Sequence, residues 1–257
     1  MIETKAIAAY LDELLETASI TDYPGAMNGL QLANRGSVRK VAASVDFSSR
    51  SVAGAIDASA DLLIVHHGMF WSGVKPIIGS AYTRMQALLE ADIAVYASHL
   101  PLDRHEVFGN NVLLSHELEI EPSGKFAQYK GTAIGVRGES DIETSELLNR
   151  ARRFAQAHGG DAISTPITGS RRTSRWAMCT GGGASSETLQ EAAATGVDTL
   201  IVGEGPHWTA VEAEELDIVI IYAGHYATET LGVRALAAHL STMFGIDWTT
   251  IHAPTGL

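Results

Sequence analysis

Cysteine is almost missing from this chain: Cys179 is the single one, which excludes an intrachain disulfide and a thiolate metal cage. Positive charge is scarce as well, with 18 Lys and Arg against 30 Asp and Glu and a formal net charge of −12. Nucleic-acid backbones are bound by Lys and Arg that neutralise phosphates, and the only basic cluster is Arg171-Arg172 with Arg175, so nucleic acid is not an expected partner. A small anionic substrate, a nucleotide included, stays compatible with this balance if a metal ion supplies the positive charge. Long apolar runs are absent, so no membrane span is expected. Residues 1–18 carry Glu3, Asp12, Glu13 and Glu16 where a secretory signal needs a basic start and an apolar centre, which points to the cytoplasm. Low-complexity segments are absent too.

What is present is a core-forming chain of 257 residues, 46% hydrophobic, enough for one large or two modest domains. Its focal stretch is Asp61-Leu62-Leu63-Ile64-Val65-His66-His67-Gly68, an apolar strand that runs into two imidazoles before a glycine turns the backbone away. The chain then repeats itself. Asp198-Thr199-Leu200-Ile201-Val202-Gly203-Glu204-Gly205-Pro206-His207-Trp208 aligns with residues 61–71 without a gap. Each copy leads through a helical segment to a second strand, one ending in His99-Leu100-Pro101-Leu102-Asp103, the other in His225-Tyr226-Ala227-Thr228-Glu229. His-x-x-x-carboxylate after matched strands predicts two related α/β halves, residues 1–124 and 125–257, with polar residues gathered at strand ends.

Taken in order, Ile7, Tyr10, Leu11, Leu14 and Leu15 predict an amphipathic first helix, and Asn28-Gly29 reads as a turn. Residues 38–45 predict a strand ending at Asp46, with Ser48 or Ser49 capping a helix. Tyr82, Met85, Leu88 and Leu89 mark another helix. Asn110-Asn111 reads as a helix cap. The polar stretch 121–130 with Pro122, Ser123 and Gly124 reads as a domain junction, followed by strands over 130–136, 162–168 and 175–180 and a helix over 143–158. Gly181-Gly182-Gly183 joins a strand to a helix and is a candidate phosphate cradle as well as a tight turn. Residues 230–244 predict a helix and 246–252 a last strand.

His66, His67, Asp103, His225 and Glu229 offer three imidazoles and two carboxylates. Such donors suit Zn, Fe, Mn, Co or Ni, and their number suits two divalent ions rather than one ion with an open position. His99, Glu204 and His207 stand beside these positions as candidates for proton transfer. His239 and His252 read as structural.

At these residues the sequence resembles the NIF-three-like proteins, also called GTP cyclohydrolase 1 type 2 homologues. The resemblance rests on Asn28-Gly29-Leu30-Gln31, His66-His67-Gly68, Ser98-His99 with Leu102-Asp103, Gly109-Asn110-Asn111, Gly203-Glu204 with His207, and Gly224-His225 with Glu229. It implies two intertwined, pseudo-twofold-related α/β domains with mixed sheets flanked by helices. It implies His66, His67, Asp103, His225 and Glu229 as ligands of a dinuclear metal centre, with Glu229 as the bridge, and a homohexamer as the assembly. Leu100-Pro101 and Glu106 depart from the residues many relatives carry there. The function implied is a hydrolase opening a purine nucleotide ring with a metal-bridging hydroxide; a non-enzymatic metal-binding regulatory or scaffold protein is the alternative.

Overall fold

Leu62, Leu63, Ile64 and Val65 are each at most 1% exposed, and an apolar run without polar alternation suits a strand covered on both faces. The computed structural model describes all 257 residues, Met1–Leu257, and in it this run is the strand Leu62–His67, which takes in both histidines. It belongs to a 5-stranded sheet ordered Asp247–Thr250, Lys40–Asp46, Leu62–His67, Ala94–Ala97, Gly29–Leu32. All neighbours in it are parallel except the last pair, so the sheet is mixed. Helix Ser49–Asp57 starts where the side chains of Ser48 and Ser51 each accept the other's backbone N–H, a reciprocal cap. Its Val52 and Ala55 pack with Leu63, Val65 and Val95 and with Leu88 of helix Ser80–Ala91.

A second sheet has 6 strands, ordered Pro122–Tyr129, Thr132–Glu143, Arg172–Cys179, Thr199–Val202, Val219–Tyr222, Ile163–Ser164. Its third, fourth and fifth members are parallel, and the flanking pairs are antiparallel. Side chains alternate along a strand. Trp176 and Met178 therefore meet Leu147, Ala151 and Phe154 of helix Thr144–Ala157, while Ala177 and Cys179 meet Leu189 and Ala192 of helix Ser186–Thr195 and Ala213 of helix His207–Glu215. Two helical layers cover the two faces.

Backbone contacts group the chain into one unit of Met1–Leu102 with Gly232–Ala253 and another of Asp103–Leu231 with Pro254–Leu257. The division falls at Leu102–Asp103 rather than at 124, and residues 232–253 join the first unit because strand Asp247–Thr250 pairs with Lys40–Asp46. Residues 121–130, expected as a junction, instead hold the edge strand Pro122–Tyr129, with Phe126 fully buried. Proline tolerates a sheet edge, where its missing N–H breaks no ladder, which is why the stretch looks like a linker in one dimension. Lys130 and Gly131, both at positive φ (46° and 86°), turn it into strand Thr132–Glu143. The strand expected over 162–168 shortens to Ile163–Ser164, with Pro166 unable to donate to a ladder. No helix is long and apolar enough to cross a membrane.

Candidate metal centre

In the first unit, adjacent parallel strands end together. Asp46 and His67 are register partners on neighbouring strands, and Ser98 and His99 follow the next one, Ala94–Ala97. His66, His67 and His99 are 0%, 7% and 7% exposed, and their ligating atoms lie within 4.8 Å of one another. Each ring is held through Nδ1: His66 on the Ser98 carbonyl oxygen at 2.9 Å, His67 on Asp46 Oδ1 at 2.8 Å, His99 on Asp22 Oδ1 at 2.9 Å. A carbonyl and an ionised carboxylate only accept, so Nδ1–H donates in all three. Nε2 is then the nitrogen of each neutral ring that carries a lone pair for a cation. Burial pushes the Asp22 carboxyl up, but the His99 hydrogen bond and charge, Asn28 and the Tyr23 N–H outweigh it and hold the group below its ordinary 3.8. Trp71 packs 4.4 Å from the His67 ring and 4.5 Å from that of His99, centroid to centroid.

The second unit holds Asp103, His225 and Glu229, which are carboxylate-rich where the first is imidazole-rich. His225 opens the short helix His225–Thr228, and helical spacing brings Glu229 onto its face, with Nε2 to Oε2 at 3.2 Å. Glu204 takes the other nitrogen, Nδ1, at 2.8 Å. Burial alone would lower the His225 pKa; the Glu229 hydrogen bond and charge, followed by those of Glu204, reverse this and raise it to about 9. Glu229 is 2% exposed, and the backbone of Gly181 closes over it: a Cβ at 181 would stand 2.1 Å from Glu229 Oε1, and φ is +62° there. Gly203 is closed in as well, by contact alone, since its Cβ would meet the Gly181 carbonyl oxygen at 2.6 Å. Asp103 ends helix Leu100–Asp103 and accepts from Asn110 Nδ2 at 2.8 Å.

Several motifs turn out to serve these clusters. Asn28 is more than a turn residue, because its Oδ1 accepts the His99 N–H at 2.7 Å and its Nδ2 donates to Asp22 at 2.8 Å. Gln31 accepts the Met69 N–H at 2.6 Å and lies where a Gly68 Cβ would be, 2.4 Å away. The Asn110-Asn111 pair does not cap helix Asn110–Glu117; Asn110 holds Asp103, and Asn111 accepts the Thr180 N–H at 2.9 Å and donates to the Ile134 carbonyl oxygen at 2.8 Å. Gly181 and Gly183 serve close packing, the latter against the Cys179 carbonyl oxygen, and Ser185 already caps the following helix through the Thr188 N–H. Asp22 and Asp46 went unread as site residues. Their signal was there in part, since Asp46 ends the strand beside the His-His strand.

His99, expected as a proton carrier, joins the imidazole cluster. Glu204, expected in the same role, orients His225. His207 starts helix His207–Glu215 and borders the same cavity as Glu204. His239 is structural, bonded to the Tyr10 hydroxyl at 2.5 Å and stacked on its ring.

Set beside known proteins, residues 2–255 match the family model described as Duf34/NIF3 (NGG1p interacting factor 3). A protein of Pyrococcus abyssi named GTP cyclohydrolase 1 type 2 homolog is 40% identical over 258 residues, covering 100% of both chains. One of the same name from Deinococcus radiodurans is 37% identical, over 96% of this chain and 94% of its own. Among solved structures, one described as protein ybgI, of unknown function, aligns over 100% of both chains with a TM-score of 0.89 and 34% identity. TTHA1606 from Thermus thermophilus aligns over 100% of both chains with a TM-score of 0.85 and 32% identity.

Proposed function

From the premise that this chain belongs to the Duf34/NIF3 family, we propose that it is a hydrolase dependent on two divalent transition-metal ions and that it opens the ring of a purine nucleotide such as GTP. His66, His67, Asp103, His225 and Glu229 are the proposed donors. The observation that carries the reading is the anchoring of two of these donors, His66 and His67, through Nδ1, which leaves their ligating atoms within 4.8 Å of each other. Outer carboxylates and carbonyls on ligating histidines are the usual second layer of a metal site. The buried Glu229 carboxylate and the side-chain-free backbone of Gly181 over it fit the same donor chemistry. The relatives' printed name supports the cyclohydrolase part.

Bound divalent ions supply Lewis acidity, polarising an electrophile and acidifying water. The chain's own groups do the rest. Asp46 and the Ser98 carbonyl fix the ring planes of His67 and His66, Asn110 fixes Asp103, and Glu204 fixes His225. His99 holds or releases a proton at Nε2 while Asp22 secures Nδ1, and His207 is the second proposed proton carrier. Trp71 covers part of the imidazole cluster and limits water there.

The test is elemental analysis of purified wild type, His66→Ala and Glu229→Ala, followed by incubation of the metal-replete wild type with GTP and other nucleotides and assay of formate. About two ions per chain, lost most severely in Glu229→Ala, and formate release are expected. Metal without turnover of any nucleotide, phosphoester or cyclic amide would favour the regulatory or scaffold role. We also propose a homo-oligomer, a hexamer, which rests on the family resemblance; Tyr82 and Leu89 of helix Ser80–Ala91, 56% and 57% exposed, are compatible with a contact between copies. A light-scattering mass of one 27.3 kDa chain would overturn that.

A further inference from the structure

At the carboxyl ends of the parallel strands Thr199–Val202 and Val219–Tyr222, a cavity of about 560 Å³ opens within the second unit. This is where open α/β sheets place ligands, and the volume is that of a small-molecule site. Pro166, Ala210, Tyr222 and Leu257 give it apolar walls. Gly203, Gly205 and Gly224 contribute bare backbone. The Tyr222 hydroxyl is tied to Thr209 Oγ1 at 3.2 Å, so the phenol ring is a fixed wall.

Beside the neutral Ser164 and Thr165, its carboxylate side chains carry one sign of charge. Glu204 and Asp161 line it with His207, and no Lys or Arg does. Glu204 uses Oε1 for His225, and Asp161 uses Oδ1 for the Ala162 N–H and Gln156. The second oxygen of each carboxylate remains to accept. A phosphate placed here would face two carboxylates with no cation to offset them, whereas a flat ring carrying N–H donors would satisfy them and cover the apolar walls.

We infer that this cavity seats a planar nitrogen heterocycle, uncharged or cationic, with an N–H donor edge turned to Glu204 and Asp161, and that the anionic groups of the substrate stay outside it. The assignment rests on the hydrolase reading for its link to turnover, because Glu204 belongs both to the cavity and to the His225 hydrogen bond. It also says which part of a nucleotide is recognised where: the base in the cavity, the phosphates elsewhere.

The probes are guanosine, its 5′-monophosphate and ribose 5-phosphate, titrated calorimetrically into the full chain with and without metal. Guanosine and its monophosphate are expected to bind within about threefold of each other and ribose 5-phosphate not to compete. Ala210→Trp fills the cavity and should weaken guanosine at least about tenfold. Ile163→Trp is a second plug, on an edge strand where Ile163 is 64% exposed and the fold tolerates size. Guanosine binding that both plugs abolish, in a protein that turns over no nucleotide, upholds the cavity and sinks the purine ring-opening reading. Guanosine that fails to bind at millimolar concentration, or binds folded plug variants as well as wild type, overturns the cavity assignment even where turnover persists. Competition by ribose 5-phosphate overturns it too.

Discussion

Each unit brings three neighbouring parallel strands to a common end, yet the two ends carry opposite chemistry. In the first unit the strands Lys40–Asp46, Leu62–His67 and Ala94–Ala97 end in Asp46, the His66-His67 pair and His99. In the second, Arg172–Cys179, Thr199–Val202 and Val219–Tyr222 lead to Gly181, Gly203-Glu204 and Gly224-His225. One frame surrounds three imidazoles with anchoring oxygens; the other sets a single imidazole between two carboxylates and makes room with glycines. The first arrangement selects a tautomer, since each Nδ1–H has an acceptor. The second favours an imidazolium while no metal is bound, since both nitrogens of His225 meet carboxylates. A repeat thus conserves a strand frame while the residues at its ends divide the work.

The comparison breaks most visibly at the glycines. Gly181→Ala must push its Cβ into Glu229 at a positive φ, so a loss on the order of 2–5 kcal/mol is expected in chemical denaturation, with metal uptake falling alongside. Gly68→Ala, at a strand end of the first unit, meets the movable end of Gln31 as well as Ala97 and should cost less, about 1–3 kcal/mol. Equal losses would mean that the second unit is not the more tightly closed.

Next in size are the anchors. Asp46→Asn leaves the His67 ring in place but can present an amide N–H to Nδ1, unsettling the tautomer, and should weaken metal binding about 10- to 100-fold by competition with a chelator. Glu204→Gln should weaken it within the same range, about 10- to 100-fold, if His225 depends on its anchor to the same degree. Unchanged affinity in Asp46→Asn would remove the tautomer argument.

Acidity offers a third, milder test. The folded, metal-free protein holds His225 at about 9 against an ordinary 6.5, so the protonated ring is favoured by folding. Its stabilising contribution is complete below pH 6.5 and fades as the pH climbs through about 9. Denaturation of the metal-free protein between about pH 6 and pH 10 should show this slope in wild type and lose it in His225→Gln. A slope that survives the substitution must come from other groups.

The smallest effect concerns Cys179. Burial first, then the charges of Asp103, Glu229 and Glu191, push its thiol up to about 12. Iodoacetamide at neutral pH should leave it unmodified in the native protein and modify it once denatured. Rapid native labelling would show that the second unit opens far more readily than its packing implies.

Strand cores, helix faces and the chemical types at the strand ends are local properties, and the amino-acid sequence determined them alone. Buried apolar runs such as 62–65 and 199–202 could form little else, the helix over 230–244 is where spacing put it, and the family was legible in motifs along the whole chain. Tertiary structure decided everything that depends on distance across the chain. Asp22 became the anchor of His99 from 77 residues away, and Asn111 reached Thr180 from 69. Pro122–Tyr129 became a sheet edge only because Thr132–Glu143 lies beside it, and residues 232–253 returned to the first unit because Lys40–Asp46 had an open side. Hydrogen bonds and steric closure act over a few ångströms of space and are blind to chain separation, so their partners do not appear in a one-dimensional pattern.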